Sequence, residues 1–157
     1  MMIKIKYPVI IILFFVSVLF VWIIARPYRI SGDCMEPAII DGRLYFSNQL
    51  APYIREYKIG DIIVFKYEDR FWISRIVALE NSTIQIKERK IIINDKPLND
   101  DIIRNWQNWD FGMYAINKPL KIPNNHVFVL SDNLSAQHDD SRVFGPINKS
   151  AIVGLVW

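Results

Sequence analysis

A mostly β domain behind one apolar helix is the fold class this sequence predicts, and three observations predict it. Pro8 to Ala25 is an uninterrupted uncharged run. From Gly42 onward the pattern changes to period two and short β-branched stretches bounded by turn residues. The length, 157 residues with 52% hydrophobic and 22% charged, leaves room for one globular domain.

The first run holds 18 residues, about 27 Å of helix at 1.5 Å per residue, close to the thickness of a hydrocarbon core. It reads as a single transmembrane helix over about 8–25, inside an N-terminal membrane anchor covering residues 1–29. A cleaved leader would have a shorter apolar region and a small-x-small site, which Ile23-Ile24-Ala25 is not. A helix buried in a core would show a polar face, and this run has none. Lys4 and Lys6 precede it and Arg26 and Arg29 follow, so charge leaves the orientation open. Trp22, Arg26 and Tyr28 read as interfacial anchors, with membrane lipid as the partner.

Strands are expected at Asp61–Phe65, Trp72–Val77, Thr83–Ile86, Lys90–Ile93, His126–Leu130 and Ile152–Val156, with a tight turn at Asn94-Asp95. Asn99–Pro119, with Trp106 and Trp109, has no clean period and reads as a long excursion. No repeat, low-complexity tract or interdomain linker interrupts the chain. One closed or nearly closed β-unit over residues 30–157 follows.

A net charge of +3 with dispersed Lys and Arg argues against nucleic acid as a partner. No phosphate-loop or metal-ligand spacing occurs, so neither metal nor cofactor is expected. One cysteine excludes an internal disulfide.

That cysteine sits in Ser31-Gly32-Asp33-Cys34-Met35-Glu36-Pro37, where glycine permits a tight turn and proline fixes the exit. The thiol is presented at a stiff bend just beyond the apolar run. A lone cysteine is also a small hydrophobe, so burial in a core is the plain alternative.

Six stretches in order, SGDCMEP, GDIIVF, WISRIVAL, INDKPLN, VFVLSDN and DDSRVFGPI, resemble the boxes of type I signal peptidases (peptidase family S26, bacterial leader peptidase-like). The resemblance runs from Ile30 to the C-terminus. It implies a β-domain of the LexA/signal peptidase type and a membrane-bound endopeptidase on the outer face of a bacterial-type plasma membrane. The implied partners are signal peptides of exported preproteins, cut after small residues without metal or cofactor by a serine nucleophile and a lysine base.

Departures from the family pattern fall on the chemistry. Cys34 stands at the nucleophile position and Ser74 at that of the lysine; Ser131 replaces the turn glycine, and His138 takes the place of a supporting serine. A serine hydroxyl needs a strong base, whereas a thiol with a free pKa of about 8.5 works with imidazole. Cys34, Ser74 and His138 are therefore the candidate catalytic residues, with Asp139 or Asp140 orienting the ring and Ser74 as a hydrogen-bonding spacer. The loop before Asp140 is one residue longer than the family spacing. Asp140, Ser141 and Arg142 are expected to brace the site, Asp140 and Arg142 as an ion pair. Met35, Ile30 and Ile76 are the expected substrate-binding residues, and the Cys34 backbone N–H the expected oxyanion donor. His126 and Lys66 read as a strand-start residue and a solvated charge. Three functions stay open: a signal peptidase using Cys34, a catalytically inactive relative acting as a peptide-binding or scaffolding membrane protein, and a tethered β-domain or specialised pilin-trimming peptidase.

Overall fold

The computed structural model describes residues 7–98, 102–103, 105–135 and 138–156. The apolar run forms α1 (Tyr7–Ile24), and every side chain described from Tyr7 to Trp22 is exposed. Ser17 satisfies its hydroxyl within the helix by donating to the Phe14 carbonyl at 2.8 Å. At 18 residues, α1 is about 27 Å long, a few ångström under a hydrocarbon core of about 30 Å. No helix among the described residues is long and apolar enough to cross a membrane. Lys4 and Lys6 lie outside the described residues.

α1 passes directly into β1 (Ala25–Arg29), which pairs antiparallel with β2 (Leu44–Asn48), Pro27 opposite Phe46. Arg26 and Tyr28, expected as membrane-interface anchors, are strand residues, and the β-unit starts at Ala25 instead of Ile30. Proline lacks an N–H, which suits β1 to its place at the sheet edge. After α2 (Ala51–Ile54) come β3 (Ile62–Tyr67), β4 (Arg70–Ala78), β5 (Thr83–Lys87), β6 (Lys90–Ile93) and β7 (Lys96–Pro97). The chain ends through β8 (Leu120–Lys121), β9 (His126–Leu130), α3 (Ser141–Phe144), β10 (Ile147–Asn148), a 3-10 turn (Lys149–Ala151) and β11 (Ile152–Val156). Asn94 and Asp95 both have positive φ, 49° and 63°, as a two-residue hairpin turn requires.

The strands form a seven-stranded sheet in the order β1-β2-β11-β3-β4-β9-β10 and a four-stranded sheet in the order β7-β6-β5-β8. Between them lies a core to which β4 and β9 contribute Val77, Phe128 and Leu130 and β5 and β6 contribute Ile84, Ile86 and Ile91. A second core takes the alternate residues: Ile76, Val127 and Val129 pack with Ile63, Phe65, Ile152 and Leu155. Period-two alternation along β4 and β9 thus feeds two cores from one pair of strands. A third cluster, Ile30, Cys34, Met35, Ile39 and Ile73, closes the loop between β1 and β2 over the sheet.

Of the expected excursion, residues 99–101 and 104 lie outside the described residues. The remainder holds no strand but is tied down by a bridge from Asn105 to Asn133 and by Met113 and Tyr114 N–H donating to the Arg142 carbonyl at 2.7 and 3.0 Å. Gly112 makes that approach possible, with φ of +119° and space for no side chain: a Cβ would lie 2.4 Å from Arg142 O. Gly112→Ala is expected to lower stability by about 3 kcal/mol in urea unfolding, combining backbone strain with displacement of the loop.

Candidate active site

The loop carrying Cys34 is closed at its base by Ile30 N–H donating to Arg43 O (3.1 Å) and Gly42 N–H to Ile30 O (3.0 Å). Asp41 Oδ1 reaches across to accept from Gly32 N–H at 2.8 Å. Gly32 holds φ of +110° there, a conformation that favours glycine. One turn within the loop, Glu36 N–H to Asp33 O and Ile39 N–H to Met35 O, aims Cys34, Met35 and Ile39 inward. Cys34 is 1% exposed.

Ser131–Asn133, following β9, grips this loop. Asn133 N–H donates to Cys34 O at 2.8 Å, and its side-chain amide to Asp33 O at 3.3 Å. Asp132 is held in a two-pronged pair with Arg75, Nε to Oδ1 at 2.7 Å, while Arg75 Nη1 donates to Gly60 O at 2.8 Å. Ser131 N–H donates to Asp140 Oδ2 at 3.2 Å.

Asp140 caps α3. Its Oδ1 accepts from Arg142 N–H at 3.0 Å and from Arg142 Nε at 2.9 Å, and its Oδ2 from Arg142 Nη2 at 2.9 Å. The guanidinium also donates to Asn108 O at 2.6 Å. Ser141 Oγ accepts from Val129 N–H at 3.0 Å. All three residues are buried, so charge and hydrogen-bond capacity are matched where water is excluded.

Ser74 lies on β4 opposite Ile63, fully buried, its hydroxyl donating to Ile73 O at 2.7 Å. His138 packs edge-on to the Trp72 ring, centroids 4.7 Å apart, with Nδ1 3.1 Å from Asp139 O. A carbonyl only accepts, so Nδ1 carries the proton and Nε2 of the neutral ring is the basic nitrogen. The orienting group is thus the Asp139 backbone, while the Asp140 carboxylate is engaged by Arg142. A groove of about 190 Å³ is lined by Tyr28, Ile30, Ser31, Phe71, Trp72, Ile73 and His138 among others, with His138 on its wall. Ile30 and Ile73 belong both to this groove and to the cluster around Cys34. No hydrogen bond joins the Cys34 sulfur to His138 or Ser74 among the described residues.

Of the expected substrate-binding residues, Ile30 lines the groove. Met35 is a buried member of the Cys34 cluster, and Ile76 belongs to the second core because alternation turns it towards Ile63 and Phe65. Trp72 and Asn133, not singled out in the sequence, respectively seat His138 and fasten the Cys34 loop. Lys66 is an exposed charge 3.9 Å from Asp69, and His126 Nδ1 is bound to Asn124 O. No group of three His, Cys, Asp or Glu could hold a metal ion among the described residues.

Residues 2–157 match the family model described as "Signal peptidase, peptidase S26". The chain belongs to the signal peptidase family. It is 30% identical over 142 residues to Signal peptidase I S of Bacillus subtilis (strain 168), covering 83% of this chain and 74% of that one. It is 27% identical over 136 residues to Signal peptidase I P of Bacillus subtilis subsp. natto, covering 83% and 74%. A crystal structure of a signal peptidase I from Enterococcus faecalis V583 shares the fold, with a TM-score of 0.55 and 24% identity over 66% of this chain and 99% of that one. By family the chain is an endopeptidase of the hydrolase class.

Burial pushes the Cys34 thiol up to about 11, with Asp33 adding to the shift, a hydrogen bond from its own backbone N–H opposing it, and Asp132 and Asp140 adding smaller contributions. At neutral pH the side chain is a thiol and needs a base to react. The folded state holds this proton more tightly than the unfolded state, so the associated stability is present below about pH 9 and lost as pH rises toward 11. Cys34→Ser is expected to flatten this alkaline decline in melting temperature. Asp140→Asn leaves a buried guanidinium without its counter-charge and is expected to cost about 3–5 kcal/mol in chemical unfolding.

Proposed function

We propose that this family member is a membrane-tethered endopeptidase that removes signal peptides after small residues, with Cys34 as nucleophile and His138 as base. The observation that supports it best is the groove between the Tyr28–Ser31 segment and the Phe71–Ile73 part of β4, which has His138 on its wall and shares Ile30 and Ile73 with the Cys34 cluster. An extended peptide laid there would pass beside His138 and over Ile30 and Ile73, which also pack in the Cys34 cluster.

The thiol proton passes to His138 Nε2 and the thiolate adds to the carbonyl carbon, with the Cys34 N–H facing the developing oxyanion. The imidazolium then protonates the departing amine, leaving the signal peptide as a thioester. A water deprotonated by the same nitrogen attacks the thioester, and the thiol recovers its proton. Ser74 serves as a hydroxyl spacer. Closure of His138 towards the sulfur accompanies substrate binding, as catalytic contacts commonly tighten in the bound complex.

α1 is the tether. Its last carbonyl region is continuous with the β-unit through Gln49 N–H to Ile24 O (2.9 Å), next to exposed Leu50, Tyr53 and Ile54. An apolar helix beside an apolar rim suits attachment to a lipid surface, with the β-unit on the outer face of a bacterial-type plasma membrane.

Cleavage of a preprotein in detergent micelles tests the reading. Wild type is expected to release the signal peptide, Cys34→Ala to release none, and His138→Ala to be at least about a hundredfold slower. Iodoacetamide should abolish the wild-type activity. Identical background from all three proteins would overturn the proposed pair and leave a peptide-binding relative.

A further inference from the structure

The four-stranded sheet has one face on the core and one in solvent. Ile84, Ile86 and Ile91 pack in the core, so the residues that alternate with them face out. Directly paired residues of an antiparallel ladder share a face, which sets Lys87 opposite Lys90, Gln85 opposite Ile92 and Thr83 opposite Lys121 on the outward side. Arg89 is on the turn between Lys87 and Lys90, Lys96 on edge strand β7 and Lys118 just before β8; all six cations are exposed. Glu88 and Asp95 are the carboxylates of the same strands and turns, so this sheet carries more net positive charge than the +3 of the whole chain. Cations spread along the sequence are gathered by the fold.

Two features of this face are unfavourable in the free protein. Lys87 and Lys90 stand directly opposite each other on the two inner strands, where like charges repel. Lysines such as Lys96 and Lys121 keep open sheet edges from pairing, but β5 and β6 are the inner strands of the order and the edge argument does not account for theirs. Between that pair, Glu88 and Arg89 hold φ of 49° and 61°, the left-handed region that asparagine, aspartate and glycine occupy most readily. The other tight turn of this sheet uses Asn94 and Asp95 for the same conformation. Lys87 Nζ lies 3.7 Å from Glu88, and none of the other five cations is in an ion pair among the described residues. An anion laid across the hairpin relieves the repulsion.

We propose that the outward face of β5 and β6, centred on Lys87, Arg89 and Lys90, docks an acidic segment of a polypeptide partner. Half-buried Ile92, on the same face as Lys90 and opposite Pro97, adds apolar contact beside the lysine stems, which a polypeptide matches and a bare polyanion does not. None of the residues paired on this face is aromatic, so it offers no platform for a nucleic-acid base. None is a large exposed apolar side chain that would seat the face in lipid. Lysine and arginine heads on flexible stems steer carboxylates to the surface and hold them there, so the contact is fast and salt-sensitive. It uses none of the groups assigned to the thiol or to the groove, and stands whether or not the proposed dyad is active.

The test is fluorescence anisotropy of a labelled Glu-Ala repeat peptide titrated with the full chain in uncharged detergent micelles. The peptide has no signal sequence, so the reading is of docking and is separable from a failure of preprotein cleavage. Wild type is expected to bind it, less tightly as sodium chloride is raised, and the double variant Lys87→Gln, Lys90→Gln to bind at least about tenfold more weakly. Arg89→Gly removes a cation and relaxes the turn, so it should weaken binding while raising the melting temperature. Lys66→Gln, an exposed cation of the other sheet, should leave binding unchanged. No binding by wild type, unchanged affinity in the double variant, an equal loss in Lys66→Gln, or losses confined to variants whose melting temperature falls would overturn the proposal. So would displacement of the peptide by sodium polyphosphate, or by micelles doped with phosphatidylglycerol, more effectively than by unlabelled peptide of equal charge, which would make phosphate the ligand.

Discussion

The buried pair of Asp140 and Arg142 is the interaction on which the site depends. One carboxylate caps α3, receives the guanidinium through both oxygens and holds the Ser131 N–H. Through Arg142 the same unit fixes Asn108, and the Arg142 carbonyl collects Met113 and Tyr114. Three stretches distant in sequence are thereby set relative to the turn that grips Cys34. A buried ion pair is a poor source of net stability compared with apolar packing. Its effect here is geometric: it leaves the segments it joins few alternative arrangements.

In the boxes that the sequence resembles, a thiol stands where the pattern has a hydroxyl, hydroxyls where it has an amine and a glycine, and an imidazole where it has a supporting hydroxyl. Each change is intelligible only beside the others, since a thiol in an apolar pocket hemmed by carboxylates resists ionisation. His138 is seated on Trp72, with Nδ1 against the Asp139 carbonyl.

Much of the fold was legible because its strands carry strong local signals. Ile62–Tyr67, Thr83–Lys87, Lys90–Ile93, His126–Leu130 and Ile152–Val156 are β-branched or alternating and bounded by turn residues. β1 was not legible, since Ala25-Arg26-Pro27-Tyr28-Arg29 has neither alternation nor β-branching and follows an apolar helix. It is a strand because β2 provides a partner. The ordered boxes made Cys34, Ser74, His138 and the Asp140–Arg142 run readable as a set. Ile76, expected to bind substrate, lies in the second core, a placement that only the pairing of β3, β4 and β9 decides.

The join between α1 and β1 has a geometric consequence. With Ile24 helical, Ala25 already in the sheet and Gln49 bonded back to Ile24, there is no flexible linker between the helix and the β-unit. The five residues of β1 rise about 17 Å at strand spacing before the Cys34 loop begins. Whatever holds the helix therefore also fixes, through one short strand, where the Cys34 loop begins, so the helix and that loop are mechanically coupled.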